Sequence, residues 1–295
     1  LPFFSIDLNL PDIFNLIKNI LLPNNSKKSK NEILEILNKR FPNKEVSLLP
    51  SARLGFYLSL KNYFKENDEI IFSAMSFPLY VKIANQLKLK VKLVDVNKND
   101  LNISLKKLRK CINAKTKGIV VTHLFGYPCE ILEIKKLAEE NKIILIEDCA
   151  QSFGSYYENL ETGNFGNVGI FSCSLVKIPT TLGGGILISS DKNLKIFIDE
   201  WINENLKNNL VKSFKLLFKN IISILNSFPG IYTILNLKIF FFLNKFNPRI
   251  YKKIVYSGMG VRDKIFDPCE RPNLSKYQTE IGISQLKRVE LMKNK

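Results

Sequence analysis

The chain has 295 residues, 45% hydrophobic and 24% charged, an ordinary balance for a soluble protein with a large core in one or two domains. A single histidine and five scattered cysteines (Cys111, Cys129, Cys149, Cys173, Cys269) leave little room for a metal site or a Ser-His-Asp triad, and read as reduced cytosolic thiols. The net charge of +17 suggests nucleic acid, but no zinc finger, RNP motif or base-reading basic helix supports it, so no such partner is expected.

The chain opens Leu1-Pro2-Phe3-Phe4 without Met or a basic segment, which does not read as a signal peptide. In Ser51-Ala52-Arg53-Leu54-Gly55-Phe56, Ser51 is a candidate N-cap ahead of a helical apolar pattern. A helix N-terminus offers free N–H groups to a phosphate. Residues 70–72 read as a strand running into Ser76-Phe77-Pro78. Phe77 suits either stacking on a planar ring or plain core packing.

Further short apolar runs at 91–94, 118–122 and 143–147 alternate with helical patterns at 105–112 and 131–141. This predicts an α/β fold with a mostly parallel sheet sandwiched by helices and ligands at the carboxyl ends of the strands. Phe77, His123 and Asp148 fall at those ends. His123 is read as a satisfied structural histidine.

About thirty residues beyond the strand that ends in Glu147-Asp148 lies Phe171-Ser172-Cys173-Ser174-Leu175-Val176-Lys177, followed by Gly183-Gly184-Gly185. Taken singly, Lys177 is a surface charge and Asp148 a helix cap. Together they suit pyridoxal phosphate (PLP): a lysine can form a Schiff base with its aldehyde, and an aspartate can hold its pyridinium nitrogen protonated. Ser172 could bind the phosphate. Residues 185–191 read as one more strand, with an antiparallel direction open.

Ser-Ala-Arg, Ser-Phe-Pro, Thr122-His123-Leu124-Phe125-Gly126-Tyr127-Pro128, Glu147-Asp148-Cys149-Ala150-Gln151, Gly163-Asn164-Phe165-Gly166 and Phe-Ser-(x)4-Lys occur in order. This set resembles the DegT/StrS sugar aminotransferases, PLP enzymes with the aspartate aminotransferase fold. The resemblance runs from about 45 to 192 and resumes at 271–292. It implies that Lys177 carries the cofactor, Asp148 pairs with the ring nitrogen and Gln151 reaches the ring hydroxyl. Phe77 would stack on the ring, with Ser51, Ala52, Arg53 and Ser172 around the phosphate. Arg271 stands where relatives carry an Asn that reaches the neighbouring subunit's phosphate, and Leu182 where many carry an acid. Related dehydratases replace the lysine with histidine, so Lys177 favours amino transfer.

Three parts are expected: residues 1–206 as the PLP-binding large domain, 207–258 as a helical insertion, and 259–295 as a linking helix with the start of a truncated small C-terminal domain. Residues 205–262 contain no Asp or Glu. On a helix, Lys212, Lys215 and Lys219 would share one face and Leu210, Phe214, Leu217, Phe218, Ile221 and Leu225 the other. A flap against the protein itself or a dimer partner and a peripheral membrane contact are both open. Residues 231–243 are too interrupted to span a bilayer.

The implied activity moves an amino group, from glutamate, onto a keto group of a nucleotide-linked sugar for surface glycans. The implied enzyme is a cytoplasmic homodimer, or one held at the inner membrane face. A lyase of the same fold and a non-enzymatic membrane-associated protein with a decayed site are the alternatives.

Overall fold

The computed structural model describes residues 26–206, 210–228, 230, 238–248 and 265–293, with isolated positions 8, 12, 13 and 18. In chain order it begins α1 (Ser26–Arg40), β1 (Glu45–Leu49), α2 (Ala52–Tyr63), β2 (Glu69–Ser73), α3 (Pro78–Gln86) and β3 (Lys90–Val94). Next come α4 (Leu105–Cys111), β4 (Thr116–Thr122), α5 (Ile131–Glu140), β5 (Ile144–Asp148) and a small hairpin of β6 (Tyr156–Tyr157) and β7 (Leu160–Glu161). The last elements are β8 (Val168–Ser172), β9 (Gly185–Ser189), α6 (Lys192–Asn205), α7 (Leu210–Ser227), α8 (Lys238–Phe246) and α9 (Lys276–Lys293).

Seven strands form one sheet in the order β1-β9-β8-β5-β4-β2-β3. Strands β2 to β5 and β8 pair in parallel, and β9 runs antiparallel to both β1 and β8. The fold is therefore the expected α/β arrangement. Alternate residues on each strand feed opposite faces. Ile70, Phe72, Val120 and Ile146 join Leu54, Phe56 and Leu58 of α2 on one side. Ile71, Ile119, Val121 and Leu145 meet Ile131 and Ile134 of α5 on the other.

Strand β1 and helix α1 had no counterpart in the sequence reading. Helix α1 buries Ile33 and Leu37, four residues apart, in a cluster with Ile283 and Leu286 of α9. Ser29 Oγ lies 2.7 Å from Thr279 Oγ1, and Lys287 Nζ donates to Glu32 at 2.9 Å. The linking helix expected from the resemblance thus packs along the start of the described chain.

Helix α7 departs from the simple two-faced expectation. Leu217 and Ile224 turn inward against Leu182, Tyr277 and Ile281. Buried Asn220 donates to the Leu182 carbonyl at 2.9 Å. Phe214, Phe218 and Leu225 instead lie exposed. The apolar residues of this helix therefore serve two faces, one covered and one open. Residues 231–237 and 249–264 lie outside the described residues, and no described helix is long and apolar enough to cross a membrane.

Candidate active site

At the carboxyl ends of the parallel strands lies a cavity of about 610 Å³. Its lining includes Ser51, Ala52, Arg53, Phe77, Asp148, Gln151, Ser172, Lys177 and Arg271, so the fold brings all nine sequence-selected residues together.

One group of lining residues suits an anion. Ser51 caps α2, its Oγ accepting the Leu54 N–H at 3.2 Å, and the first turn of the helix faces the cavity. The glycine run before β9 lets two backbones approach closely. A Cβ on Gly185 would sit 2.4 Å from the Ala52 nitrogen. Gly183 has φ +117°, and a Cβ there would lie 2.3 Å from Arg271 Nη1. Bare glycine therefore makes the room in which Arg271 enters this chain's own cavity. Arg53, Arg271 and the Ser51, Ser172 and Ser174 side chains supply donors and positive charge, a set suited to a phosphate.

A second group comprises the acid and the lysine. Asp148, the last residue of β5, is buried and accepts the Ala150 N–H at 3.1 Å and the Thr122 hydroxyl at 3.4 Å. Burial pushes its carboxyl from 3.8 up to about 6, against the opposing pull of the Ala150 N–H, His123, Thr122 and Lys177. Lys177 is half-buried on the loop between β8 and β9, and desolvation lowers its pKa while Asp148 partly offsets the effect. That loop is pinned by Thr181 and Gly183 N–H groups on the Cys173 carbonyl at 3.0 and 3.1 Å, and by the Thr180 hydroxyl on Ser174 O at 3.0 Å. It also contains a cis Ile178–Pro179 bond.

Phe77 precedes α3, whose first residue is Pro78, and its ring meets Tyr80 edge-on at 5.6 Å. The Gln151 side-chain oxygen accepts the Phe125 N–H at 3.1 Å, which holds a left-handed turn with Phe125 at φ 55°. Tyr80, Thr122 and Ser174 also line the cavity and were missed by the sequence reading. Tyr80, stacked on Phe56 at 4.0 Å, follows Phe77 at helical spacing, and that spacing was the available signal. Leu182 does not line the cavity. It is buried with Ile224, Tyr277 and Ile281, where an acid would lose its water.

His123 is fully buried, as a structural histidine should be. Its Nδ1 accepts the Cys129 N–H at 3.3 Å, which leaves Nε2 as the N–H facing Glu147 at 3.0 Å. His123, Glu147 and Cys149 offer ligand atoms within 4.8 Å of one another, but Glu147 already accepts three backbone N–H groups, from Gly163, Phe165 and Gly166. The Gly-Asn-Phe-Gly motif thus wraps a buried carboxylate.

Residues 42–213 match the profile of the DegT/DnrJ/EryC1/StrS aminotransferase family. Over 129 residues the chain is 33% identical to GDP-perosamine synthase of Escherichia coli O157:H7, covering 44% of this chain and 35% of that protein. Over 148 residues it is 35% identical to GDP-4-keto-6-deoxy-D-mannose 3-dehydratase of Yersinia pseudotuberculosis, covering 50% of this chain and 37% of that protein. These matches span little more than a third of the relatives' length.

Among solved structures, PseC of Helicobacter pylori, an aminotransferase in pseudoaminic acid biosynthesis, superposes with a TM-score of 0.68 at 18% identity, over 98% of this chain and 66% of that one. A GDP-4-keto-6-deoxymannose-3-dehydratase variant with bound GDP-perosamine gives 0.68 at 22% identity, over 98% and 68%.

Proposed function

Because the chain belongs to the DegT/DnrJ/EryC1/StrS aminotransferase family, we propose that it is a PLP-dependent aminotransferase acting on a keto group of a nucleotide-linked sugar. Glutamate is the proposed amino donor and surface polysaccharide the proposed destination. The observation that carries this reading is one cavity lined both by Lys177 and Asp148 and by the anion-binding set Arg53, Arg271, Ser51 and Ser172.

That donor set fits the cofactor. Arg53, Arg271, Ser51, Ser172 and the Ala52 N–H would hold its phosphate, Phe77 its ring face, Asp148 its ring nitrogen, Gln151 its hydroxyl and Lys177 its aldehyde. PLP, when bound, supplies an aldehyde that condenses with amines and a ring that draws electrons from the adjoining carbon. A cationic N–H opposite Asp148 pulls its carboxyl back down and keeps it ionised. Lys177 Nζ, its pKa lowered by burial, is the base that takes the proton from the donor's α-carbon and the acid that returns it. Lysine rather than histidine at this position favours amino transfer over dehydration, although relatives of both kinds match.

We keep three parts as the proposed organisation: the large domain to 206, the insertion 207–258 and the linking helix with the start of a C-terminal domain. A homodimer is supported by exposed apolar residues in the cavity lining, Met75, Phe77 and Val176, and by exposed Phe125 and Ile178, each next in sequence to a lining residue. The five free thiols support a cytoplasmic enzyme, and α7 supports a place at the inner membrane face.

The test is absorbance with added PLP, borohydride reduction and peptide mapping, then a screen of nucleotide-linked keto-sugars with glutamate. The expected result is cofactor fixed on Lys177 and amino transfer that falls by at least about 10³-fold in Lys177→Ala. No cofactor uptake by the folded protein would overturn the reading in favour of a non-enzymatic role. Uptake with cleavage of amino acids instead of transfer would favour the lyase.

A further inference from the structure

Helix α7 divides into three longitudinal zones. Leu217, Asn220 and Ile224 face the body of the protein. Val211, Phe214, Phe218, Ile222 and Leu225, spaced three or four apart, form a continuous outward stripe, with Phe214 and Phe218 each 66% exposed. Lys215 and Lys219 flank that stripe on the side away from Leu217, Asn220 and Ile224, while Lys212 reaches back to the body and donates to the Cys269 carbonyl at 2.8 Å. Helix α8 separately exposes Phe241, Phe242 and Phe246, with Lys245 Nζ 5.6 Å from the Phe246 ring.

A stripe of this length does not face water without a reason. Its charge environment selects the occupant. Nine lysines and arginines lie between 207 and 253, and no acid occurs from 205 to 262. In a twofold contact of the stripe with a second copy, one basic segment would face another, because no acid occurs between 205 and 262 in either. An anionic lipid surface meets both needs. Its headgroups complement the net positive charge of the segment, and its acyl boundary takes the phenyl rings of a helix not long and apolar enough to cross.

We propose that α7 docks this protein on an anionic bilayer, with Phe214 and Phe218 inserted and Lys215 and Lys219 at headgroup level. The Asn220–Leu182 bond, the buried Ile224 and the partly buried Leu217 anchor the helix to the body, with the stripe turned outward.

The experiment is co-sedimentation of the whole chain with vesicles of phosphatidylcholine alone or mixed equally with phosphatidylglycerol. Binding to the mixed vesicles that weakens with salt is expected. Phe214→Ser with Phe218→Ser should weaken it by at least about tenfold while leaving the thermal melt unchanged, since neither ring is in the core. Lys215→Glu with Lys219→Glu should abolish the preference for phosphatidylglycerol, by about tenfold or more.

A Phe218→Trp variant, which does not depend on the double variant folding, should show blue-shifted emission on mixed vesicles. Wild-type protein left in the supernatant, unaltered binding by either double variant, or no emission shift would overturn the proposal. So would a higher oligomer that the phenylalanine variant dissolves in the absence of lipid, because it would assign the stripe to a second copy.

Discussion

Strand β5 ends in two adjacent acids that the fold treats in opposite ways. Glu147 points to one side of the sheet and accepts three backbone N–H groups and the His123 Nε2–H, all at 2.6–3.0 Å. Asp148 points to the other side, into the cavity, with the Ala150 N–H at 3.1 Å and the Thr122 hydroxyl at 3.4 Å. Both are buried. A carboxylate with its lone pairs filled by fixed donors is a structural joint, whereas one left under-solvated at about 6 is ready to meet a ligand's positive charge. One residue along a strand separates the roles, because successive side chains exit opposite faces.

The comparison breaks most readily at Glu147. Glu147→Ala leaves three buried N–H groups and His123 without their acceptor and should cost ~3–5 kcal/mol in urea denaturation. A cost no larger than that of an ordinary surface change would remove Glu147 from its structural role.

Asp148 should show the reverse pattern. Its folded-state carboxyl, about 6, lies above the ordinary 3.8, so the ligand-free fold binds that proton more tightly than the unfolded chain does. Its contribution to stability is therefore present below about pH 4 and lost as pH rises through about 6. Asp148→Asn removes this dependence. Relative to wild type, the ligand-free variant should gain on the order of 3 kcal/mol between about pH 4 and about pH 7, read from denaturation at a series of pH values. A flat difference would show that Asp148 is as well satisfied as its neighbour.

The smallest effect falls on the anion-binding set. Ser51→Ala removes the α2 cap and should lower ligand-free stability by ~1 kcal/mol in a thermal melt. Added PLP should then recover less stability in the variant than in wild type, because the lost hydroxyl serves the cavity as well as the helix.

Much of the site was legible because its parts are local patterns. Ser51 ahead of an apolar helical run announced a cap, and the cap is there. Apolar runs β2 to β5 separated by helical stretches announced a parallel sheet, and Phe77, His123 and Asp148 came to its carboxyl ends. Strand β9 was also legible, with an antiparallel direction left open, and it runs antiparallel. The structural reading of His123 held as well: both ring nitrogens are occupied, and the ring supports Glu147, which the sequence analysis had not singled out.

Helix α1 escaped notice because its polar stretch, Ser26-Lys27-Lys28-Ser29-Lys30, hides the apolar positions that face α9. Tyr80 and Thr122 look like ordinary core and strand residues until the cavity is assembled around them.

The amino-acid sequence by itself determined the β-α alternation, the family, and the candidate lysine, acid and cap, since each depends on neighbours a few residues away. Only the tertiary structure decided that Arg271 enters the cavity of its own chain through the space left by Gly183, and that Leu182 turns away into the core. It alone decided that the apolar residues of α7 divide between a buried face and an open one. Each of these outcomes depends on which distant segment packs where, and periodicity along the chain specifies which residues share a face but not what will cover it.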